Sequence, residues 1–216
     1  MFATMYCFSR AGYLAVVLGI FLLGLLKNRK FLILVFVFLF TWQAVVPTAV
    51  RERVNMTEDA NGNLEASAEE RVLLWTEARD TFLSDPIFGV GYSTFALRYH
   101  IDNLRDTHNW YVKILVETGL VGMLIALVLL LQMLALAWRL FRRAEDPLYR
   151  GLGLGLFLCG CCSIALNFFG DRWTYIEITG LLWVLLAAAA RAANLDPGTE
   201  KKVDALAPPY AQMAYR

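Results

Sequence analysis

Residues 108–138 read HNWYVKILVETGLVGMLIALVLLLQMLALAW. The run from about Trp110 to Trp138 is predicted to be one long apolar helix, and roughly 20 predominantly apolar residues suffice to cross a bilayer. It begins where a polar stretch ends, and His108-Asn109 stands at the junction. An imidazole in water is mostly neutral at pH 7 and can accept a proton, so His108 either does proton chemistry at a membrane surface or simply caps the helix at the interface. Asn109 reads as the helix cap, with orientation of the imidazole or of a sugar as the alternative. Gly119 and Gly122 let the helix pack closely against a neighbour.

Working outward, four more apolar blocks appear, at about Phe2–Leu26, Phe31–Val50, Gly151–Gly170 and Trp173–Ala190. The 216 residues are 58% hydrophobic and 18% charged, against roughly 45–50% and about 25% in soluble domains. The fold class is therefore all-α, a polytopic membrane protein with about five transmembrane helices and one large polar loop. Its parts are two membrane helices in 1–50, the loop over 51–109 with an amphipathic helix near 68–83, three membrane helices in 110–190, and a polar, disordered tail over 191–216 with Pro197, Pro208 and Pro209. A net charge of +1 makes no case for nucleic acid, and no nucleic-acid module is present. Cys7, Cys159, Cys161 and Cys162 lie in apolar blocks, where cysteine behaves as a small hydrophobe, and Cys-x-Cys-Cys lacks the paired spacing of a zinc site. His100 and His108 stand too far apart, with no adjacent ligand, to suggest a metal pair. No metal and no cofactor is expected.

Lys27, Arg29, Lys30, Arg139, Arg142, Arg143, Arg150, Arg191, Lys201 and Lys202 fall on one side of this arrangement, which the positive-inside rule makes cytoplasmic. The loop is then outside, with eleven Asp/Glu against six Arg and no Lys. Arg51 and Arg53 strain the rule mildly. Trp42, Trp110 and Trp173 fall near the outer interface and Trp138 near the inner one, as aromatic belts predict. An odd number of spans leaves the N-terminus outside with no charge to hold it there, as expected of the C-terminal part of a longer protein.

The loop has its own structure. Ser67-Ala68-Glu69-Glu70 is a capping box that starts a helix, and Arg71, Trp75, Ala78 and Phe82 follow as one stripe. Asp85-Pro86 ends the helix, and Gly89-Val90-Gly91 permits backbone geometry closed to other residues.

Arg10 lies about one-third of the way into the first apolar block, and an intramembrane charge is by default a functional hypothesis. Its guanidinium grips phosphate oxygens in a bidentate fork; the alternative is an arginine that snorkels outward or pairs with Glu117 or Asp171. Arg71 opens the loop helix, where the dipole slightly disfavours a cation, and is either a phosphate ligand or a solvated surface residue. Arg51, Arg53, Arg79, Arg98 and Arg105 are weaker candidates. Lys113 and Glu117 are spaced as an ion pair, with Glu117 as a base the lesser reading. Asp171-Arg172 reads as a short outer turn.

Taken together, these segments resemble the O-antigen ligase/polymerase superfamily of bacterial membrane glycosyltransferases. Ser9-Arg10-Ala11-Gly12 resembles that family's Ser-Arg-Gly motif, with Ala11 in place of the first glycine. Arg71-x-x-Leu74-Trp75 is similar to its loop helix, and Asp85-Pro86-Ile87-Phe88-Gly89-Val90-Gly91 to its Pro-x-x-Gly-x-Gly turn. His108-Asn109-x9-Gly119-x2-Gly122 matches its signature without departure. The resemblance covers about residues 5 to 140. Family members usually have ten or more spans, which implies that this chain is the C-terminal half of such an enzyme and that a missing N-terminal half is a possible partner.

The resemblance implies a donor glycan on a polyprenyl diphosphate, an acceptor hydroxyl on lipid A-core, glycan or protein, and a site at the periplasmic face of the bacterial inner membrane, among its lipids. Neutral His108 takes the acceptor proton as general base. Arg10 and Arg71 bind the diphosphate and stabilise its charge as it leaves, with Asn109, Gly119 and Gly122 in support. Guanidinium supplies the charge, so the transfer needs no metal. The competing expectations are a non-catalytic subunit of polysaccharide export or assembly, and an inactive truncated remnant.

Overall fold

The computed structural model describes residues 9–48, 66–98 and 107–195. Cys7, Arg51, Arg53, His100, Arg105 and the tail from residue 196 on, with Pro197, Lys201, Lys202, Pro208 and Pro209, lie outside the described residues, as do the side chains of the Ser67–Glu70 capping box and of Arg98. Among the described residues every element is helical: α1 Arg10–Leu26, α2 Lys30–Val45, α3 Ala66–Ser84, α4 Phe95–Arg98, α5 Trp110–Arg143, α6 Pro147–Leu166 and α7 Ile176–Leu195.

Three of these, α5, α6 and α7, are long and apolar enough to cross a membrane. Of the 34 residues of α5, Gly119 is non-helical, and the 24 residues after it, at 1.5 Å each, amount to about 36 Å, beyond the roughly 30 Å of a hydrocarbon core. The apolar helices α1 and α2 are shorter, with 17 and 16 residues, or about 25 Å each. Large apolar side chains line the outside of these helices; Phe40 is 87% exposed and Leu124, Ile125, Leu131 and Leu181 more than 60%. Outward faces of this kind suit acyl chains as solvent rather than water.

The chain divides into two units, residues 1–127 with 162–175, and residues 128–161 with 176–216. In the first, Ser9 accepts from the Gly12 N–H through its hydroxyl at 3.1 Å and so caps α1. Arg10 is therefore the first residue of α1, and the part of the apolar block before Ser9 lies outside the described residues. Asn28 Oδ1 accepts from Lys30 N at 3.0 Å and turns the chain from α1 into α2. At Gly24 a Cβ would come within 2.9 Å of the Leu32 backbone and side chain, so this hairpin closes on a bare backbone.

The polar segment docks on the start of α5. Ala78 of α3, Phe95 of α4 and Val116 of α5 form a buried cluster, with Phe82, Val90 and Val112 packed against it. The buried face of α3 is Leu74, Ala78 and Thr81. The stripe expected from the sequence ran instead through Trp75, which is 43% exposed. Leu74 wins that place because a compact aliphatic side chain fits the core fully, whereas the indole has an N–H to satisfy. Arg71 lies in the second turn of α3 rather than at its opening, because the helix begins at Ala66.

In the second unit, Gly153 and Gly160 let the backbones of α5 and α6 approach. A Cβ at Gly153 would lie 2.8 Å from Ala137 O, and one at Gly160 2.8 Å from Leu134 Cδ2. Small residues serve this purpose in membrane helices. Trp138 packs against Phe141 and Phe157, with the Arg142 guanidinium 5.8 Å above its ring. The Arg150 guanidinium donates to Ala144 O at 2.9 and 3.3 Å, satisfying a carbonyl just past the end of α5.

Candidate functional site

The centre of the first unit is a break in α5. Gly119 adopts φ 65° and ψ −165°, a conformation that glycine enters readily and other residues only at a cost. An unbroken helix would bond Leu120 N to Val116 O and Val121 N to Glu117 O. Here all four groups turn to the segment Pro86–Gly91 instead. Leu120 N donates to Pro86 O at 2.9 Å and Val121 N to Ile87 O at 3.2 Å, while Val90 N donates to Val116 O at 3.1 Å and Gly91 N to Glu117 O at 2.9 Å. The turn is thus a clamp inserted into the break, and no group freed at these four positions goes unbonded.

Both glycine motifs follow from this clamp. A Cβ at Gly89, which has φ +71°, would lie 2.5 Å from Val116 O and Glu117 C. A Cβ at Gly119 would run into Ile87 O and C and lie 2.6 Å from Phe88 N. Gly122 faces Thr118 so closely that a Cβ there would overlap its side chain. The sequence suggested that Gly119 and Gly122 allow close helix packing. The structure shows a more specific arrangement, in which Gly119 breaks the helix and Gly89 fills the gap.

Ten residues before the break, α5 is capped. Asn109 is buried, and its Oδ1 accepts from Tyr111 N at 3.0 Å and from Val112 N at 3.3 Å. Thr107 is also buried, and its hydroxyl donates to Asn109 O at 2.9 Å. Between these two anchored residues His108 is exposed, with φ 51°. Positive φ is uncommon outside glycine, though histidine tolerates it better than most. The backbone therefore turns the imidazole away from the core.

Trp75 Nε1 donates to Thr107 O at 2.9 Å. This bond links α3 directly to the residue before His108. Arg71 lies one turn before Trp75, about 6 Å along the axis, and its Nε is buried without a hydrogen-bond partner among the described residues. The tether from Trp75 thus links the helix that carries Arg71 to the residue before His108. Arg10 lies on α1, which α6 contacts. It stands about 7 Å along α1 from Ala15, whose carbonyl accepts from the Cys162 thiol at 3.5 Å, and two residues on Ile164 O accepts from the Tyr111 hydroxyl at 2.8 Å.

A second polar set braces the start of α5. Trp110 N donates to Asn167 O at 3.0 Å, and Asn167 Oδ1 accepts from Arg172 N at 2.9 Å. Asp171, buried, takes Lys113 Nζ at 2.7 Å and the N–H of Thr174 at 3.1 Å. Asp171-Arg172 is the turn the sequence suggested, with the added duty of carrying an ion pair to α5. Trp110 packs on Tyr111 and Trp173, and Tyr111 on Phe168. Glu117 is 1% exposed. Sequence reading missed Thr107 and the Lys113–Asp171 pair, because a polar residue in a loop carries no sign of its distant partner. Among the described residues no group of three or more His, Cys, Asp or Glu comes together to hold a metal ion.

The fold defines the class: an all-helical membrane protein whose polar segment clamps a broken apolar helix and holds up an exposed histidine beside it. The family model for O-antigen ligase matches residues 1–127, more than half of the chain, and the chain belongs to that family of glycosyltransferase-type membrane proteins. The matched stretch contains Arg10, Arg71, the clamp, His108 and the break at Gly119. No curated protein matches the chain.

Proposed function

We propose that this protein transfers a glycan from a polyprenyl diphosphate carrier to an acceptor hydroxyl at the periplasmic face of the bacterial inner membrane. The acceptor is lipid A-core, another glycan or a protein. The observation that carries this reading is the presentation of His108, an exposed imidazole on a left-handed residue fixed between buried Thr107 and Asn109. A histidine that served only as a cap has no need of that geometry, since Asn109 already caps the helix.

In the proposed step the acceptor oxygen attacks the anomeric carbon, and the bond from that carbon to the diphosphate oxygen breaks. The acceptor proton passes to the His108 imidazole and from there to solvent. The diphosphate leaves with its charge held by Arg71 and Arg10, in the bidentate manner that guanidinium favours. The buried Nε of Arg71, without a partner among the described residues, supports an anionic ligand, because a donor left unmet costs about 1–3 kcal/mol. Asn109 fixes the backbone at His108, and Gly119 and Gly122 shape the break against which the polar segment is held. With guanidinium as the counter-charge, transfer proceeds without a divalent ion.

The test is glycan transfer from a polyprenyl diphosphate donor in membranes, with and without EDTA, by the wild-type chain and His108→Ala. The proposal expects transfer that EDTA does not reduce and that falls by roughly 10²–10⁴-fold in the variant. Transfer unchanged in His108→Ala would remove the general base and favour a diphosphate-binding role in glycan export or assembly.

A further inference from the structure

The exposed apolar residues of the polar segment are not scattered. Ile87 and Phe88, at the tip of the clamp, are 56% and 72% exposed. The same turn is bonded to Leu120 and Val121, themselves 55% and 40% exposed. Leu124 and Ile125 continue that surface down α5 at 63% each. A soluble loop does not ordinarily set two bare apolar side chains beside the apolar surface of a membrane-length helix.

The length of α5 fixes where this surface lies. Arg139 is the first charge on the far side of the apolar run, the 19 residues Leu120–Trp138 before it are uncharged, and about 20 residues fill the hydrocarbon core. The charges Lys113 and Glu117 fall before the break, outside that run. The edge of the hydrocarbon therefore falls at the break, and the clamp lies at that edge.

Irregular backbone tolerates hydrocarbon only where its polar groups are met internally, and most of the clamp's backbone is so met, with the N–H groups of Ile87 and Phe88 left to the polar edge. Pro86 has no N–H to satisfy. Gly89 N donates to Asp85 O at 3.0 Å, Val90 N and Gly91 N donate to α5, and Pro86 O and Ile87 O accept from it. Gly91 O and Val90 O accept in turn from the Thr94 hydroxyl.

From these observations we infer that the Pro86–Gly91 turn dips into the membrane, with Ile87 and Phe88 seated among the acyl chains of the adjacent leaflet. The polar segment is then anchored to the lipid as well as to α5. The occupant is lipid because the apolar surface on which the turn lies is continuous with the membrane-facing side of α5.

The experiment is photocrosslinking of the full chain in proteoliposomes of phosphatidylethanolamine and phosphatidylglycerol. Benzoylphenylalanine replaces Phe88, Ile87, Leu124 or Asp80 in separate variants, and adducts are identified by mass spectrometry. The expected result is a phospholipid adduct at Phe88 and Ile87 in yield comparable with Leu124, and its loss at Asp80, an exposed residue of α3. Absence of lipid adduct at both turn positions while Leu124 reacts would overturn the inference, as would a crosslink to a second copy of the chain. Two turn positions guard against one variant that fails to fold, and the readout does not depend on transferase activity.

Discussion

Replacing Gly119 by alanine should cost more than almost any other single methyl group added to this protein. The residue sits at φ 65° and ψ −165°, an essentially glycine-only region where an L side chain costs about 1–3 kcal/mol. The new Cβ would also strike Ile87 O and C, which are rigid backbone atoms of the clamp. The clamp must then withdraw, and four hydrogen bonds across the break go with it. At about 0.5–1.5 kcal/mol net for each bond, some 2–6 kcal/mol is at stake. The assay is denaturant or thermal unfolding in detergent micelles of Gly119→Ala, with Gly155→Ala as control. A Cβ at Gly155 meets nothing within 4 Å, so that change should be neutral or slightly stabilising. Gly89→Ala should match the loss at Gly119, and the double variant should cost much less than the sum, because each change opens the same clamp. If Gly119→Ala stayed within about 0.5 kcal/mol of wild type, the level of an ordinary surface change, the clamp would not be a structural element.

Three further outcomes follow from the same geometry. His108→Gly should be more stable than His108→Ala by about 1 kcal/mol, measured by unfolding, because only glycine relieves the left-handed backbone. Trp75→Phe keeps the ring but removes the donor to Thr107 O; it should cost about 1 kcal/mol of stability and lower kcat while leaving KM for the lipid-linked donor unchanged. Lys113→Met strands the buried Asp171 carboxylate, and should destabilise by about 3 kcal/mol in the same unfolding assay, with Asp171→Asn in the Lys113→Met background recovering part of that loss.

The sequence shows hydrocarbon more clearly than it shows helix ends. The apolar block from Gly151 to Gly170 is occupied by a helix over Pro147–Leu166. Its true start lies in polar residues: Asp146 Oδ1 accepts from Leu148 N at 2.7 Å, and proline is well suited to the first helical position. The next block begins at Trp173, yet the helix waits until Ile176, because Asp171 holds Thr174 in a turn. Asn109 was legible as a helix start because capping is local; Ser9 was not, because an apolar block runs through it from Phe2 to Leu26. The role of Gly119 was not, since a glycine in an apolar run looks the same whether it packs, bends or breaks a helix. Only its pairing with a turn some thirty residues earlier in the chain decides among these. The candidate site divides in the same way. The residue types at Arg10, Arg71 and His108 announce anion binding and proton transfer, while the tether from Trp75 to Thr107 becomes visible only in three dimensions.

The most direct test of the central claim is chemical rescue at position 108. Transfer from a polyprenyl diphosphate donor would be measured for His108→Gly in membranes, with and without added imidazole. If the His108 side chain takes the acceptor proton, the variant loses roughly 10²–10⁴-fold and free imidazole restores part of the rate. Wild-type transfer by His108→Gly without imidazole would contradict the account.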